Sequence, residues 1–183
     1  MDNHAFQQDG MTRIMVLQGQ ARVSAGPRVE FSTVLGSCVA TCLYDPEAQV
    51  GGMNHFLLAE PPSGLSGGDV DVHYGVYLME VLINAMLEQG ASKQRLKAHL
   101  YGGANLHQGM ARIGTKNAEF ARRFLADERI ALVHEDLGGE VARRVHFLPA
   151  LGKVRCRTVE TEQAPREAPI ARPRVAAGEV ELF

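Results

Sequence analysis

Cys38 and His55 are the two side chains whose types and spacing can do chemistry together. Cys38 closes the run Thr33-Val34-Leu35-Gly36-Ser37-Cys38, and His55 follows 17 positions later within Gly51-Gly52-Met53-Asn54-His55-Phe56. Cysteine with histidine makes a nucleophilic thiol site: a free thiol has a pKa of about 8.5, and a neighbouring imidazolium lowers it and populates the thiolate. Gly36 and Ser37 predict a turn whose backbone N–H groups point at a developing oxyanion, and Gly36 lets a substrate chain approach the backbone closely. Residue types alone leave an alternative open, with Cys38 a small buried hydrophobe and His55 a core histidine.

The pair needs elements to bring it together. Val39–Tyr44 and Val50–Leu58 are short apolar runs separated by Asp45-Pro46-Glu47-Ala48, the pattern of a hairpin. A turn centred between Pro46 and Glu47 sets Cys38 directly opposite His55, where Cβ atoms stand about 4.5–5.5 Å apart. Along a strand, Cys38 and Cys42 are about 13 Å apart at roughly 3.3 Å per residue, too far to chelate one ion. Cys42 and Cys156 are therefore expected in the core. The remaining histidines (His4, His73, His99, His107, His134, His146) show no ligand spacing, so neither a metal nor a cofactor is expected.

Around the hairpin the pattern alternates between strand and helix. Thr12 to Val23 predicts one strand ending at Ala25-Gly26-Pro27. Val72, Val76, Met79, Ile83, Met86 and Leu87 recur at helical spacing from about Asp71, with Gly90 as a stop. A strand through Leu96–Tyr101 runs into Gly102-Gly103-Ala104. Thr115 reads as the N-cap of a second helix bearing Ala118, Phe120, Ala121, Phe124 and Leu125. Strands are expected at Arg129–His134, Val141–Leu148 and Lys153–Val159, the last placing Lys153, Arg155 and Arg157 on one solvated face. The fold class expected is α/β (α+β), with a largely antiparallel sheet packed by two main helices.

Residues 1–10 read as a flexible terminus, 11–160 as the folded domain, and 161–183, with Pro165, Pro169 and Pro173 among charges, as a disordered tail. Pro61 to Gly68 is a loop by composition, fit to border a site. A net charge of −2 and a pI near 6.4 argue against nucleic-acid binding. No leader-like segment and no long apolar run is present, so a soluble, cytoplasmic protein without membrane insertion is expected. Three cysteines fit free thiols in a reducing compartment. Gly109 to Lys116 lacks the residue order of a phosphate-binding loop.

Leu35-Gly36-Ser37-Cys38-Val39-Ala40, Cys42-Leu43-Tyr44-Asp45-Pro46 and Gly52-Met53-Asn54-His55-Phe56 together closely resemble the chemoreceptor glutamine deamidases of the CheD family. Tyr101-Gly102-Gly103-Ala104, Ile113-Gly114-Thr115-Lys116-Asn117 and Asp136-Leu137-Gly138-Gly139 followed by Arg143-Arg144 continue the resemblance, which covers about Met11 to Val159. It implies a layered α/β sandwich similar to the catalytic domain of deamidating toxins. It also implies an enzyme that converts receptor glutamines to glutamates, with methyl-accepting chemotaxis receptors as partners and a CheC-type phosphatase as a further one. The family's nucleophile falls on Cys38 and its base on His55. Its third polar residue falls on Ser32 where the family has threonine, with Thr33 adjacent and equally able to supply a hydroxyl. Ala142 stands where the family usually has glycine. A non-catalytic chemotaxis adaptor, or a related cysteine amidase or methylesterase, are the competing expectations.

Overall fold

The computed structural model describes residues 5–8, 10–58, 73–106 and 113–160. Pro61 to Gly68, His4, His107, the start of the Gly109–Lys116 segment and the tail from residue 161 lie outside the described residues. Among the described residues ten strands form two five-stranded sheets. The first has the order β1(Ala5–Gln8), β2(Met11–Met15), β4(Val29–Leu35), β9(Ala142–Leu148), β10(Lys153–Val159). The second has the order β3(Gln20–Ser24), β6(Val50–His55), β5(Val39–Asp45), β7(Lys97–Gly102), β8(Ala131–Leu137). Among the described residues only the β2–β4 and β7–β8 pairs are parallel. Two helices, α1(His73–Glu88) and α2(Ile113–Asp127), pack on the second sheet.

Three layers follow from where apolar residues fall. The sheets enclose one core around Phe31, Leu35, Met53, Val145 and Phe147. The second sheet and the helices enclose another around Leu43, Phe56, Met79, Leu82, Leu100 and Leu125. The β5–β6 hairpin feeds both. Cys38, Ala40 and Cys42 face the first sheet, while Val39 and Leu43 face the helices, so the middle layer is buried on both sides. Each of these large side chains contributes about 1.5–3 kcal/mol by leaving water.

Several sequence expectations are corrected. The single strand over Thr12–Val23 is two strands in different sheets, broken at Leu17-Gln18-Gly19, and Val29–Leu35 is a strand that the reading passed over. Its inward residues Phe31, Thr33 and Leu35 are buried in alternation with the less buried Ser32 and Val34, a period-two signal sitting beside the conspicuous cysteine motif. Within the stretch expected as a terminus, Ala5–Gln8 pairs antiparallel with Met11–Ile14. Thr115 is the third residue of α2 rather than its cap, and its hydroxyl accepts a hydrogen bond from Asn105 Nδ2 at 3.0 Å.

The hairpin register also differs. Cys42 pairs with Met53, Leu43 with Gly52 and Asp45 with Val50, and the same offset reappears where Val39 meets Phe56. The turn is thus centred between Glu47 and Ala48. Asp45 Oδ1 accepts the N–H groups of Glu47 at 2.9 Å and Ala48 at 3.1 Å, which draws four residues into the loop instead of two. Relative to the expected pairing the register slips by two residues, an even slip that leaves every side chain on its face. Cys38 and His55 are therefore diagonal neighbours, rather than opposed ones, on the face directed at the first sheet.

Candidate active site

His55 ends β6 and is 4% exposed; Thr33, from β4 of the facing sheet, is 3% exposed. Thr33 Oγ1 lies 2.9 Å from His55 Nδ1 and donates its proton to the Val16 carbonyl at 2.8 Å. A hydroxyl has one proton to give, so with that proton on Val16 the oxygen accepts from Nδ1–H. The Val16 carbonyl, 3.3 Å from the same ring nitrogen, can only accept and favours the same tautomer. The neutral imidazole consequently carries its lone pair on Nε2. Ser32 belongs to the opposite face of β4, where it is in register with His146. The structure thus brings Thr33, and not Ser32, to the histidine.

Cys38 lies in the Gly36–Cys38 connection between β4 and β5 and is 1% exposed. Three donors hold this connection by its carbonyls. Ala104 N bonds Gly36 O at 2.9 Å, Asn117 Nδ2 bonds Ser37 O at 2.7 Å, and Gly103 N bonds Cys38 O at 2.8 Å. Asn117 is fully buried, and its Oδ1 accepts from Leu58 N at 2.9 Å, so one side chain ties the connection to the segment after β6. Gly102 is required here: its φ is +106°, and a Cβ would meet Cys38 O at 2.2 Å. A Cβ on Gly114 would meet Ala104 O at 2.3 Å, so α2 also comes close on the other side.

The Gly102–Asn105 segment is fixed in turn. Gly138 N bonds Gly102 O at 2.9 Å and Asn105 N bonds Gly139 O at 2.8 Å. Arg143 holds that glycine turn through Gly138 O at 2.8 Å and pairs with Asp136 at 2.8 Å. The pairing with Arg143, against the cost of burial, holds the Asp136 carboxyl below its usual range. The Gly-Gly-Ala, Ile-Gly-x-x-Asn and Asp-x-Gly-Gly segments therefore form one scaffold behind the cysteine.

The other thiols differ in kind. Burial pushes Cys42 far up; burial and the Asp136 carboxylate push Cys156 up to about 11. Among the described residues no group of His, Cys, Asp or Glu is arranged to hold a metal ion, and no helix is long and apolar enough to cross a membrane. Lys153, Arg155 and Arg157 are exposed on β10, as expected. The sequence reading missed Gln18, whose Oε1 lies 3.9 Å from Cys38 Sγ. Its only signal was the adjacent Gly19, a turn residue inside what looked like one strand.

A thiol and a histidine therefore share one buried face, with a hydroxyl 2.9 Å from the imidazole, the residue types that cysteine-dependent acyl chemistry draws on. The sequence comparisons carry this further. The family model described as CheD chemotactic sensory transduction matches residues 57–158. A Zymomonas mobilis protein named "Probable chemoreceptor glutamine deamidase CheD" is 58% identical over 93% of this chain and 92% of its own length. Proteins of the same name from Caulobacter vibrioides, at 50% identity over 93% of both chains, and Caulobacter sp. strain K31, at 47% identity over 98% of this chain and 97% of its own, are similar as well. The chain belongs to the CheD family.

Proposed function

We propose that this protein is a protein-glutamine deamidase of chemotaxis receptors, acting in the cytoplasm with Cys38 as nucleophile, His55 as acid and base, and Thr33 as the group that orients His55. The observation that carries the reading is the Val16–Thr33–His55 chain, which leaves Nε2 as the basic ring nitrogen on the face shared with Cys38. In the reaction His55 Nε2 takes the thiol proton, and Sγ attacks the glutamine Cδ. The tetrahedral oxyanion collapses as the imidazolium gives its proton to the departing ammonia. Water, deprotonated by His55, then cleaves the thioester to glutamate and returns the thiol.

The oxyanion needs donors, and the capture of the carbonyls supplies them. In a trans peptide the N–H points opposite to the C=O it shares a plane with. Because Ala104 and Asn117 draw the carbonyls of Gly36 and Ser37 to one side, the N–H groups of Ser37 and Cys38 are directed to the other. Preorganised donors of this kind commonly supply the largest single stabilisation in acyl transfer.

The test is incubation with a receptor cytoplasmic fragment and mass spectrometry for amide-to-acid conversion, comparing Cys38→Ala. Conversion that survives Cys38→Ala would sink the mechanism. No conversion of any receptor fragment would favour an adaptor, and release of methanol from methylated receptor instead would favour an esterase. The family resemblance adds a CheC-type phosphatase as a second partner, to be sought by co-purification.

A further inference from the structure

The two helices pack on the second sheet, so among the described residues no layer covers the outer face of the first. Strand alternation fixes what that face presents. Phe31, Val145, Phe147 and Cys156 point into the core between the sheets, so their chain neighbours Ser32, Arg144, His146, Arg155 and Arg157 point out. The five strands of this sheet hold one carboxylate, Glu30, against the six cations Arg13, Arg143, Arg144, Lys153, Arg155 and Arg157. Of these, Arg143 points inward, to Asp136. The whole chain carries a net charge of −2, so the cationic excess is local to this sheet.

The cations are arranged at a cost to the fold. β10 and β9 set Arg157 in register with Arg144, and like charges directly opposed destabilise a sheet. Arg144 Nε is buried and has no hydrogen-bond partner. Glu30 is engaged by His146 Nδ1 at 3.0 Å and by Arg13 at 3.5 Å. Among the described residues no ion pair reaches Arg144, Lys153, Arg155 or Arg157, whereas Arg95, Arg122 and Arg143 each hold a carboxylate. A guanidinium fork takes a carboxylate bidentately, and Arg144 with Arg157 sets two forks side by side.

The face runs toward the thiol. The Arg157–Arg144 row continues to Val34 on β4, four residues before Cys38 and at most about 15 Å from it along the chain. We propose, resting on the deamidase reading, that this face docks the substrate protein through an acidic segment flanking the target glutamine, its carboxylates received by Arg144, Arg155 and Arg157. Along a substrate helix, that distance is about ten residues at roughly 1.5 Å each. Glu30 stands within the face and repels an unbroken polyanion such as a nucleic-acid backbone, whereas separate carboxylates can be spaced around it. Contacts this far from the reacting atoms form alike in the ground and transition states, so they set KM rather than kcat.

The experiment compares Arg155→Glu/Arg157→Glu, a change at two exposed side chains, with wild type in the full chain. Three readouts are taken: kcat and KM for deamidation of a receptor cytoplasmic fragment, binding of that fragment in a Cys38→Ala background, and alkylation of Cys38 by iodoacetamide. KM should rise about tenfold or more and binding weaken in proportion, because each reversal removes an attraction and adds a repulsion. The kcat should stay within about twofold of wild type, and alkylation should be unaltered. Added salt should weaken wild-type binding and narrow its gap from the variant. Arg155→Lys/Arg157→Lys keeps the charge and should retain most of the affinity. Unchanged KM and binding in the reversed variant overturn the proposal. A parallel fall in kcat and alkylation does so too, and would mark a structural role. Loss of sedimentation with vesicles of phosphatidylcholine and phosphatidylglycerol in equal parts, at unchanged KM, overturns it in favour of a membrane surface. If wild type deamidates and the reversed variant matches it, this inference fails alone. If wild type converts no receptor glutamine, the deamidase reading fails, and binding in the Cys38→Ala background still decides the docking.

Discussion

Thr33 Oγ1 and His55 Nδ1, 2.9 Å apart, join the two sheets of the sandwich at one hydrogen bond. The hydroxyl gives its own proton to Val16 O and receives that of the imidazole, so the pair sets both the tautomer and the tilt of the ring. An acidic residue usually plays this orienting part in a triad. A hydroxyl does so without adding charge to a buried site.

Thr33→Val keeps the shape of the side chain and removes the hydroxyl. It should lower kcat for receptor deamidation by about 10²-fold, the low end of what positioned acid–base catalysis contributes. Thr33→Ser should retain most activity, and Ser32→Ala, on the other face of β4, should be close to wild type. Steady-state assays of the three variants check this; a strong loss in Ser32→Ala with Thr33→Val active would reverse the assignment.

The candidate site was largely legible in the sequence, and its limits have physical causes. Cys38 and His55 stood out because reactive side chains beside glycines are conspicuous. Face parity survived an incorrect turn, since an even slip moves no side chain across the sheet. The two-residue error came from Asp45, whose carboxylate organises a wider loop through contacts that spacing does not reveal. The choice between Ser32 and Thr33 required knowing that β4 is a strand with Phe31 and Leu35 inward. Gln18 was invisible because its place beside Cys38 arises from a crossing between sheets, a tertiary event with no local periodicity. The α+β class, the layered arrangement and the two helices were legible; how the strands divide between two sheets was not, because pairing partners such as Phe31 and Phe147 are far apart along the chain.

Asn117 should matter to both stability and rate. Asn117→Ala leaves Ser37 O and Leu58 N buried without this partner, each costing about 1–3 kcal/mol. Asn117→Asp keeps the acceptor for Leu58 N but sets a carboxylate oxygen against Ser37 O. Its kcat loss should therefore exceed what its melting temperature suggests, because the cysteine connection is pushed out of place. Thermal melts paired with kinetics at low temperature separate the two effects; equal kinetics for wild type and Asn117→Asp would show that the Ser37 contact is dispensable.

Asp45 ties the hairpin turn to the segment before β7. Burial opposes its ionisation, but the Arg95 guanidinium at 2.8 Å and the N–H groups of Ser92, Ala48 and Glu47 prevail and hold its carboxyl well below the usual carboxylate range. A carboxyl depressed in the folded state adds stability that is fully present above its unfolded pKa of about 3.9 and is lost as pH falls through the folded value. Urea denaturation should therefore show stability declining from about pH 5 downward. Asp45→Asn should be less stable at pH 7, since the partly exposed Arg95 loses its carboxylate partner while an amide oxygen still accepts from the turn N–H groups, with a shallower acid decline. An unaltered acid limb in Asp45→Asn would assign that decline to other carboxyls.

Thiol reactivity should single out one cysteine. Cys42 is fully buried and pushed far up, and Cys156 is pushed up to about 11, so neither offers appreciable thiolate near neutrality. Iodoacetamide near pH 6.5, followed by peptide mapping, should modify Cys38 first, and His55→Ala should slow that modification while leaving the other two unchanged. Comparable rates at all three would count against an activated Cys38.

Arg143 acts at the greatest remove from the thiol. It is 6% exposed and holds the Gly138–Gly139 turn, which holds Gly102 and Asn105, whose neighbours Gly103 and Ala104 hold the carbonyls of Cys38 and Gly36. Arg143→Met fills much of the same volume but leaves Gly138 O without its guanidinium donor and Asp136 without its cation. Asp136 is partly exposed and can turn to water, so the loss should be moderate, about 1–3 kcal/mol for the uncapped turn. The scaffold also predicts a kinetic consequence. Loosening the turn lets the cysteine connection drift, so kcat should fall even at temperatures where the variant is fully folded, while Cys38 remains the first thiol alkylated. Full activity in a folded Arg143→Met variant would show that the Gly102–Asn105 segment holds its position without the turn behind it.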